Sequence, residues 1–295
     1  MESTEFDLET YLANGKALVE RELERRMPAA DARPTLLHEA MRYSLFTGGK
    51  RLRPILCLAA AELVQASPPG DAPSEAAILA ALSVEVFHTY TLVHDDLPAM
   101  DDDSERRGKP TVHVVYGDAN AILVGDALQA LAFQWAAEAE RCDRPPAASL
   151  VAELARAGGS LGVVGGQVED LASARLCPTP QTLDFIHQHK TADLFRAALR
   201  MGAMSAGAES DIVERLGQYG NALGLAFQIV DDLLDADERG VPRDEANYLV
   251  HSTVDEARNS ARGLTDSGIA ALDTFDADAA RPLVTLARHM LERVF

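Results

Sequence analysis

The chain has 295 residues, a hydrophobic fraction of 47% and a formal net charge of −19 at pH 7. That charge argues against nucleic acids and anionic membranes as partners, because both would be repelled by an acidic surface. Aromatic residues make up only 5% of the chain, a composition that favours packed helices over a β-sandwich.

Cysteine usage and the chain start indicate the cellular compartment. Cys57, Cys142 and Cys177 are widely spaced and form no Cys-x-x-Cys pair. This pattern predicts reduced thiols in a cytoplasmic protein rather than a disulfide framework or a zinc site. The acidic N-terminus lacks the features of a targeting peptide, and no apolar run is long enough to predict a membrane span.

Apolar residues recur at helical spacing along most of the chain. The two clearest stripes run from Leu79 to Leu97 and from Leu216 to Leu234. Other helices are predicted over residues 7–27, 34–47, 54–66, 119–140, 147–174, 180–205, 246–272 and 277–294. Residues 112–116 are the best strand candidate, and no linker calls for a second domain. The sequence therefore predicts one all-α domain over 1–295, a bundle of long helices around a central cavity.

The first chemically distinctive segment is Gly48-Gly49-Lys50-Arg51-Leu52-Arg53-Pro54. Its glycines free the backbone, cations follow, and the proline suits the first turn of a helix. Backbone N–H groups and cations at a helix start form an anion site. The alternative interpretation is an ordinary glycine turn with a basic surface.

Each of the two stripes ends on a group of aspartates. The first stripe leads into Asp95-Asp96-Leu97-Pro98-Ala99-Met100-Asp101-Asp102-Asp103. The proline ends the regular helix, so Asp95 and Asp101 can converge on one cation across the turn. An acidic loop in solvent is the alternative. His88 shares the face of Asp95, where it is either an ordinary packed residue or a ligand contact.

The second stripe ends in Asp231-Asp232-Leu233-Leu234-Asp235. Asp231 and Asp235 share one helix face and can hold a metal jointly, while Asp232 points about 100° away. A solvated acidic helix end is the alternative, and it is electrostatically unfavourable. Because Mg²⁺ binds through one or two carboxylates plus substrate phosphates, the two clusters predict carboxylate walls around Mg²⁺ and a diphosphate.

Three further signals are weaker. Arg106-Arg107-Gly108-Lys109 either neutralises the neighbouring aspartates or grips phosphates, whose geometry suits the arginine fork. Lys190-Thr191 carries little information alone. Gln228 precedes Asp231 by three residues and shares its helix face.

Together these motifs resemble the trans-isoprenyl diphosphate synthases of the polyprenyl synthetase family, most closely the bacterial farnesyl diphosphate synthases. The resemblance is carried by residues 48–54, 88–110, 125–128, 165–167 with Asp170, 190–191 and 227–235. It implies the isoprenoid synthase fold, usually as a homodimer. The implied reaction is Mg²⁺-assisted transfer of an allylic prenyl group to isopentenyl diphosphate, with farnesyl diphosphate as the main product.

The resemblance also implies roles for individual residues. About three Mg²⁺ ions are expected on Asp95, Asp101 and Asp231, with Asp235 in support. The expected allylic diphosphate contacts are Arg106, Lys190, Thr191 and Gln228. The expected isopentenyl diphosphate pocket consists of Lys50, Arg53, His88 and Arg107. The residues expected to be catalytic are Asp95, Asp101, Lys190 and Asp231.

Product length is expected to depend on Tyr90 and Thr91, just before Asp95. In the resembling family, an aromatic residue five positions before the first aspartate is a common floor for the growing chain. Tyr90 is therefore expected to stop elongation at fifteen carbons. The alternative is that Tyr90 only packs in the apolar stripe with Val86 and Val93.

One departure from the family pattern leaves alternatives open. No lysine follows Lys190, whereas the family usually has two lysines after the second aspartate motif that hold the allylic diphosphate. Arg239 and Arg243 are candidate replacements, and Glu245 stands near the second position. The missing lysines favour one alternative, a weakly active partner subunit of a heteromeric synthase. On product length, the alternative is a geranylgeranyl diphosphate synthase. A class I terpene cyclase shares the fold but needs no isopentenyl diphosphate pocket.

Overall fold

The computed structural model describes residues 6–66, 72–139, 150–173, 178–239 and 246–294, with backbone only for 237–239. The first half contains α1 (Leu8–Arg26), α2 (Thr35–Phe46), α3 (Leu52–Gln65) and α4 (Glu75–Asp95). A two-stranded antiparallel hairpin follows, with β1 (Glu105–Arg106) paired to β2 (Lys109–Pro110). The short α5 (Val112–Tyr116) and the long α6 (Asp118–Ala139) complete this half.

The second half is also helical. It contains α7 (Leu150–Gly158), α8 (Val163–Ser173), α9 (Pro180–Ile186), a π-helical segment (His187–Ala192), α10 (Asp193–Ser205), α11 (Ser210–Arg239), a 3₁₀ turn (Tyr248–Val250), α12 (Val254–Ala270) and α13 (Ala277–Glu292). The predicted all-α fold class is therefore confirmed.

Local sequence signals set several helix starts. The Asp7 and Ser74 side chains accept hydrogen bonds from the first turns of α1 and α4. Thr253 and Glu256 form a reciprocal capping box at the start of α12. Such caps satisfy backbone donors that no intrahelical acceptor can reach.

Helix α4 is the centre of the bundle. It packs against α3, α6 and α10, and most of its side chains are buried. By length and composition α4 is apolar enough to cross a membrane, yet 83% of its most apolar window is buried inside the protein. That degree of burial by neighbouring helices is what a core helix shows.

Three predicted elements differ from the structure. The helix expected over 246–272 begins only at Val254, after the 3₁₀ turn. The strand expected at 112–116 is wrong, because these residues form α5, which ends where Gly117 adopts a φ of +84°. An isolated strand would leave its backbone groups unpaired, whereas a helix pairs its own. The helix expected over 147–174 is divided: α7 ends at Gly158, and a turn closed by the Gly162 N–H on the Gly159 carbonyl precedes α8.

The interruption of regular α-helix at residues 187–192 was not predicted. This π-helical segment lies between α9 and α10 and packs on α8 and α11. At its closest contact a Cβ on Gly166 would lie 2.4 Å from the backbone nitrogen of Lys190. Glycine therefore allows α8 to approach the segment that carries Lys190 and Thr191.

Candidate active site

The first carboxylate wall consists of Asp95 and Asp101. Asp95 ends α4, and the Asp101 N–H donates to the Asp95 carbonyl at 2.9 Å, closing the turn predicted at Pro98. Burial raises the pKa of Asp95 to about 7, with Lys190 opposing the rise and Asp101 adding to it. Burial likewise raises the pKa of Asp101 against the opposing charge of Lys190. The cations in the described part of the chain therefore do not fully offset the cost of burying these two carboxylates.

Lys190 lies beside this wall. Its Nζ donates to Asp170 Oδ2 of α8 at 2.5 Å. Burial lowers the pKa of Lys190, but Asp170, Asp95 and Asp101 together outweigh it and the net pKa is raised. The lysine is therefore a charged donor held among three carboxylates. Asp170 is among the residues that carry the family resemblance, but no role was predicted for it from the sequence.

The second carboxylate wall consists of Asp231 and Asp235 on α11. Asp231 is half-buried and accepts a hydrogen bond from Arg293 Nη1 at 3.2 Å. Burial raises its pKa, Arg293 and Lys50 oppose the rise, and Asp235 adds to it. Asp235 is exposed one turn further along the helix. Arg293, just after α13, is a site residue that no sequence motif marked.

Asp232 faces away from the second wall, as helix geometry predicted. It is buried and accepts hydrogen bonds from Gln228 Nε2 at 2.8 Å and from the Tyr248 N–H at 2.7 Å. Asn247 Nδ2 contacts its backbone carbonyl at 3.4 Å. Asp232 therefore ties α11 to the segment after residue 245. Residues 240–245, including Arg243 and Glu245, and the Arg239 side chain lie outside the described residues.

The π-helical segment joins the two walls. Thr191 Oγ1 donates to Gln228 Oε1 at 2.8 Å, while Lys190 on the same segment lies beside Asp95 and Asp101. The expected allylic diphosphate contacts Lys190, Thr191 and Gln228 are thus brought together. Sequence spacing alone could not have shown this, since the contact depends on tertiary packing.

The basic cluster comprises Lys50, Arg53, His88 and Arg107. Arg53 Nη1 donates to His88 Nε2 at 3.2 Å, and the guanidinium carbon lies 4.5 Å from the centre of the Phe195 ring. Burial lowers the pKa of Arg53 to about 10, with Glu85 and Asp231 opposing the shift. Burial and Arg53 hold the pKa of His88 well below its usual range, so its ring is neutral near pH 7.

The two arginines of the hairpin point to different partners. Arg106 Nε donates to Asp96 at 2.6 Å and its Nη2 to Asp103 at 3.3 Å, in agreement with charge neutralisation. Arg107 adopts a φ of +55° and donates to the Gly48 carbonyl. Gly49, which lies against the Arg107 guanidinium, has a φ of +132°, a conformation that favours glycine where the two segments meet.

The two residues expected to control product length are buried. Tyr90 is 5% exposed and packs edge-on against Phe87, with ring centres 4.6 Å apart. Thr91 Oγ1 donates to the His88 carbonyl at 2.8 Å. Phe87 in turn lies against Gly158 of α7, where a Cβ would approach its ring to 1.9 Å. Phe87 is a further buried aromatic residue below Asp95 that the sequence analysis did not single out.

The donor set suits a hard divalent cation bound together with a substrate. Across residues 6–66, 72–139, 150–173, 178–239 and 246–294, no three His, Cys, Asp or Glu side chains form a metal site of their own. Mg²⁺ retains waters and is usually held by one or two carboxylates plus phosphate oxygens. The carboxylates of the two walls have raised pKa values, with Asp95 and Asp231 half-buried and Asp101 open to solvent, and this fits that mode of binding.

A protein-family comparison matches residues 34–240 to the polyprenyl synthetase model. The chain is 40% identical to a geranylgeranyl diphosphate synthase of Cyanophora paradoxa, covering 98% of both proteins. It is 39% identical to the large subunit 1 of a heterodimeric, chloroplastic geranylgeranyl pyrophosphate synthase of Arabidopsis thaliana, covering 99% of this chain and 81% of that protein.

Solved structures give the same family. An FPP/GFPP synthase from Zymomonas mobilis superimposes with a TM-score of 0.85 at 40% identity, covering 96% of this chain and 98% of that one. A geranyltransferase from Legionella pneumophila superimposes with a TM-score of 0.81 at 32% identity, covering 97% and 96%.

The raised pKa of Asp95 predicts a pH-dependent cost of folding. The folded pKa of about 7 exceeds the unfolded value of about 3.9, so the folded state binds the proton more tightly in this range. The contribution of Asp95 to stability therefore falls as pH rises from about 4 to about 7. In chelator, the melting-temperature gain of Asp95→Asn over wild type should grow between pH 5 and 7 and then level off.

Differential scanning fluorimetry of both proteins at each pH measures this gain. Asp273→Asn, in an exposed turn after α12, is the matched control and should show no such trend. A gain from Asp95→Asn that is the same at pH 5 and pH 8 would contradict the assignment.

Proposed function

The chain belongs to the polyprenyl synthetase family, and we propose that it condenses isopentenyl diphosphate with allylic diphosphates to give mainly farnesyl diphosphate. Trans-prenyltransferase activity on isoprenyl diphosphates is common to the family. The observation that carries the proposal is the placement of two carboxylate walls, joined by the Lys190 segment, next to the basic cluster.

Two diphosphates need two different environments, and the site offers both. The family is generally Mg²⁺-dependent, and Asp95, Asp101 and Asp231, with Asp235 beside them, would hold the ions. When bound, Mg²⁺ neutralises an allylic diphosphate and stabilises it as a leaving group. Lys190 would add a direct charged donor on the same side. The basic cluster would bind the second diphosphate without metal.

In the proposed reaction the allylic carbon–oxygen bond breaks and the double bond of isopentenyl diphosphate attacks the freed carbon. The departing diphosphate takes the proton lost from the new chain, so no side-chain base is required. Arg53, kept charged and positioned by neutral His88, would orient isopentenyl diphosphate. Buried Tyr90 and Phe87 would line the apolar region below Asp95 that excludes water from the allylic cation.

Product sizing tests this proposal directly. Purified protein with Mg²⁺ and labelled isopentenyl diphosphate should elongate dimethylallyl and geranyl diphosphate to farnesyl diphosphate. Asp231→Asn should lower turnover by about two orders of magnitude or more, since it removes a metal ligand that stabilises developing charge. The exposed control Asp273→Asn should keep full activity. Undiminished turnover in excess chelator would refute the metal assignment.

A second candidate product is geranylgeranyl diphosphate. It is favoured by the relatives at 38–40% identity, which are named as geranylgeranyl diphosphate synthases. The heteromeric alternative is favoured by a relative named as a large subunit. Against a weakly active subunit stands the presence of complete aspartate clusters on both α4 and α11.

Substitution of Tyr90 tests whether this residue limits the product to farnesyl diphosphate rather than geranylgeranyl diphosphate. Tyr90 precedes Asp95 by five residues on α4, and its ring is buried against Phe87. Under the proposed function, a chain growing from the first carboxylate wall would extend towards this ring. Tyr90→Ala should shift the main product from fifteen carbons to twenty or more, because it removes the ring that blocks extension. Chromatography of the dephosphorylated products measures the shift. Tyr11→Ala on α1 is the control and should leave product length unchanged.

An unchanged distribution in Tyr90→Ala, or a twenty-carbon product from wild type, would contradict the farnesyl assignment. In that event Phe87, the next buried aromatic residue along α4, becomes the candidate floor.

We also propose that the protein is a homodimer. Five large apolar side chains are between 46% and 54% exposed on the contacting helices α2, α5 and α6: Leu36, Val114, Val115, Ile122 and Leu123. A symmetric pairing of two copies would bury such a surface.

Sedimentation velocity tests the proposal. Leu123→Glu should convert the dimer to a monomer, because it places a charge in the paired surface. Val254→Glu, at the exposed start of α12, should leave the dimer intact. A wild-type monomer at micromolar concentration would refute the proposal.

A further inference from the structure

Arg51 belongs to the glycine-rich basic segment but points away from the basic cluster. Its side chain is 1% exposed and its backbone has a φ of +54° at the residue before α3. Non-glycine residues rarely adopt this conformation, so the surrounding structure must hold it. The neighbours Lys50 and Arg53 have been assigned to substrate, whereas Arg51 has no part in that assignment.

The partners of Arg51 come from three helices. Its Nη1 donates to Glu85 Oε1 of α4 at 2.7 Å, and its Nη2 donates to the Leu45 carbonyl of α2 at 2.5 Å. Glu20 of α1 lies 3.6 Å from its Nε. The Glu85 side chain is only 4% exposed. A buried carboxylate of this kind needs a cation, and Arg51 supplies it.

Glu85 also lies close to the cations expected to bind substrate. It is one helical turn before His88, to which Arg53 donates. It is the carboxylate that most strongly opposes the burial-lowered pKa of both Arg53 and Arg107. Nevertheless, in the part of the chain that the structure describes, Lys50, Arg53 and Arg107 form no ion pair.

We propose that Arg51 is a positioning residue that engages Glu85 and thereby leaves Arg53 and Arg107 available to a diphosphate. Without Arg51, Glu85 would pair with the nearest remaining guanidinium and draw it towards the core. Arg51 would also keep the segment before α3 in the conformation that presents Lys50 outward. This inference rests on the proposed function, because it concerns the pocket assigned to isopentenyl diphosphate.

The two halves of the Arg51–Glu85 pair should have opposite effects on anion binding. In Arg51→Met, calorimetry in the presence of chelator should show that inorganic pyrophosphate binds about tenfold more weakly. The reason is that Glu85 would pair with Arg53 or Arg107, and that arginine could no longer contact pyrophosphate. In Glu85→Gln, the competing carboxylate is gone and pyrophosphate should bind about threefold more tightly. The double variant should bind close to wild type. The Arg53→Ala variant lacks one arginine of the basic cluster and gives the pyrophosphate affinity that remains when this pocket is impaired.

A purely structural role predicts a different pattern. Both single variants break the same buried pair and should lower the melting temperature. If both also weaken pyrophosphate binding equally, or if Arg51→Met leaves it unchanged, the inference is wrong. Glu153→Gln, which breaks a buried contact to Arg200 Nε at 3.0 Å between α7 and α10, is the stability-matched control and should bind as wild type.

Two further measurements keep the test decisive. Should Arg51→Met fail to fold, Arg51→Lys keeps the ion pair but loses the arginine fork; we expect it to bind pyrophosphate within about threefold of wild type. Steady-state kinetics should show the Arg51→Met defect in the KM for isopentenyl diphosphate and not for the allylic substrate. If the variants show the expected pattern of pyrophosphate affinities but the wild-type protein elongates no allylic diphosphate, the proposed function fails and this inference stands.

Discussion

The structure depends on the cost of placing several carboxylates together, at the end of α4 and part-way along α11. Burial raises the pKa values of Asp95, Asp101 and Asp231, so none of them is fully stabilised by its neighbours. The chain offsets part of this cost with cations from distant segments. Lys190 comes from the π-helical segment and Arg293 from the end of the chain. The uncompensated remainder is what a divalent cation can neutralise.

The opposite arrangement holds for the basic cluster. There the guanidinium groups of Arg53 and Arg107 contact His88, the Phe195 ring and the Gly48 carbonyl, and within the described residues they form no ion pair. Glu85, the buried carboxylate beneath them, is paired with Arg51. In the described part of the chain, carboxylates that are incompletely neutralised thus lie beside basic residues that form no ion pair. Under the proposed function, this local positive charge would let an acidic protein of net charge −19 bind two diphosphates.

The sequence predicted those features that depend on local periodicity and spacing. The apolar stripes gave α4 and α11, and helix geometry separated Asp232 from Asp231. The sequence could not predict the π-helical segment, because that segment depends on its packing against both α8 and α11. Arg293 was missed because only tertiary structure brings it to Asp231. The strand expected at 112–116 failed because the five residues have no partner strand and pack as a helix.

The difference between local sequence spacing and tertiary packing also explains why the sequence predicts the reaction class better than the product length. The reaction needs carboxylates and cations of fixed type, and these are concentrated in short motifs on α4 and α11. In the proposed reaction, product length would depend on how far an apolar region extends below Asp95, and that depth would be set where helices meet. Phe87 packs against Phe133 of α6 and leaves no space for a Cβ on Gly158 of α7. A substitution on α6 or α7 can therefore alter product length while every motif on α4 stays intact.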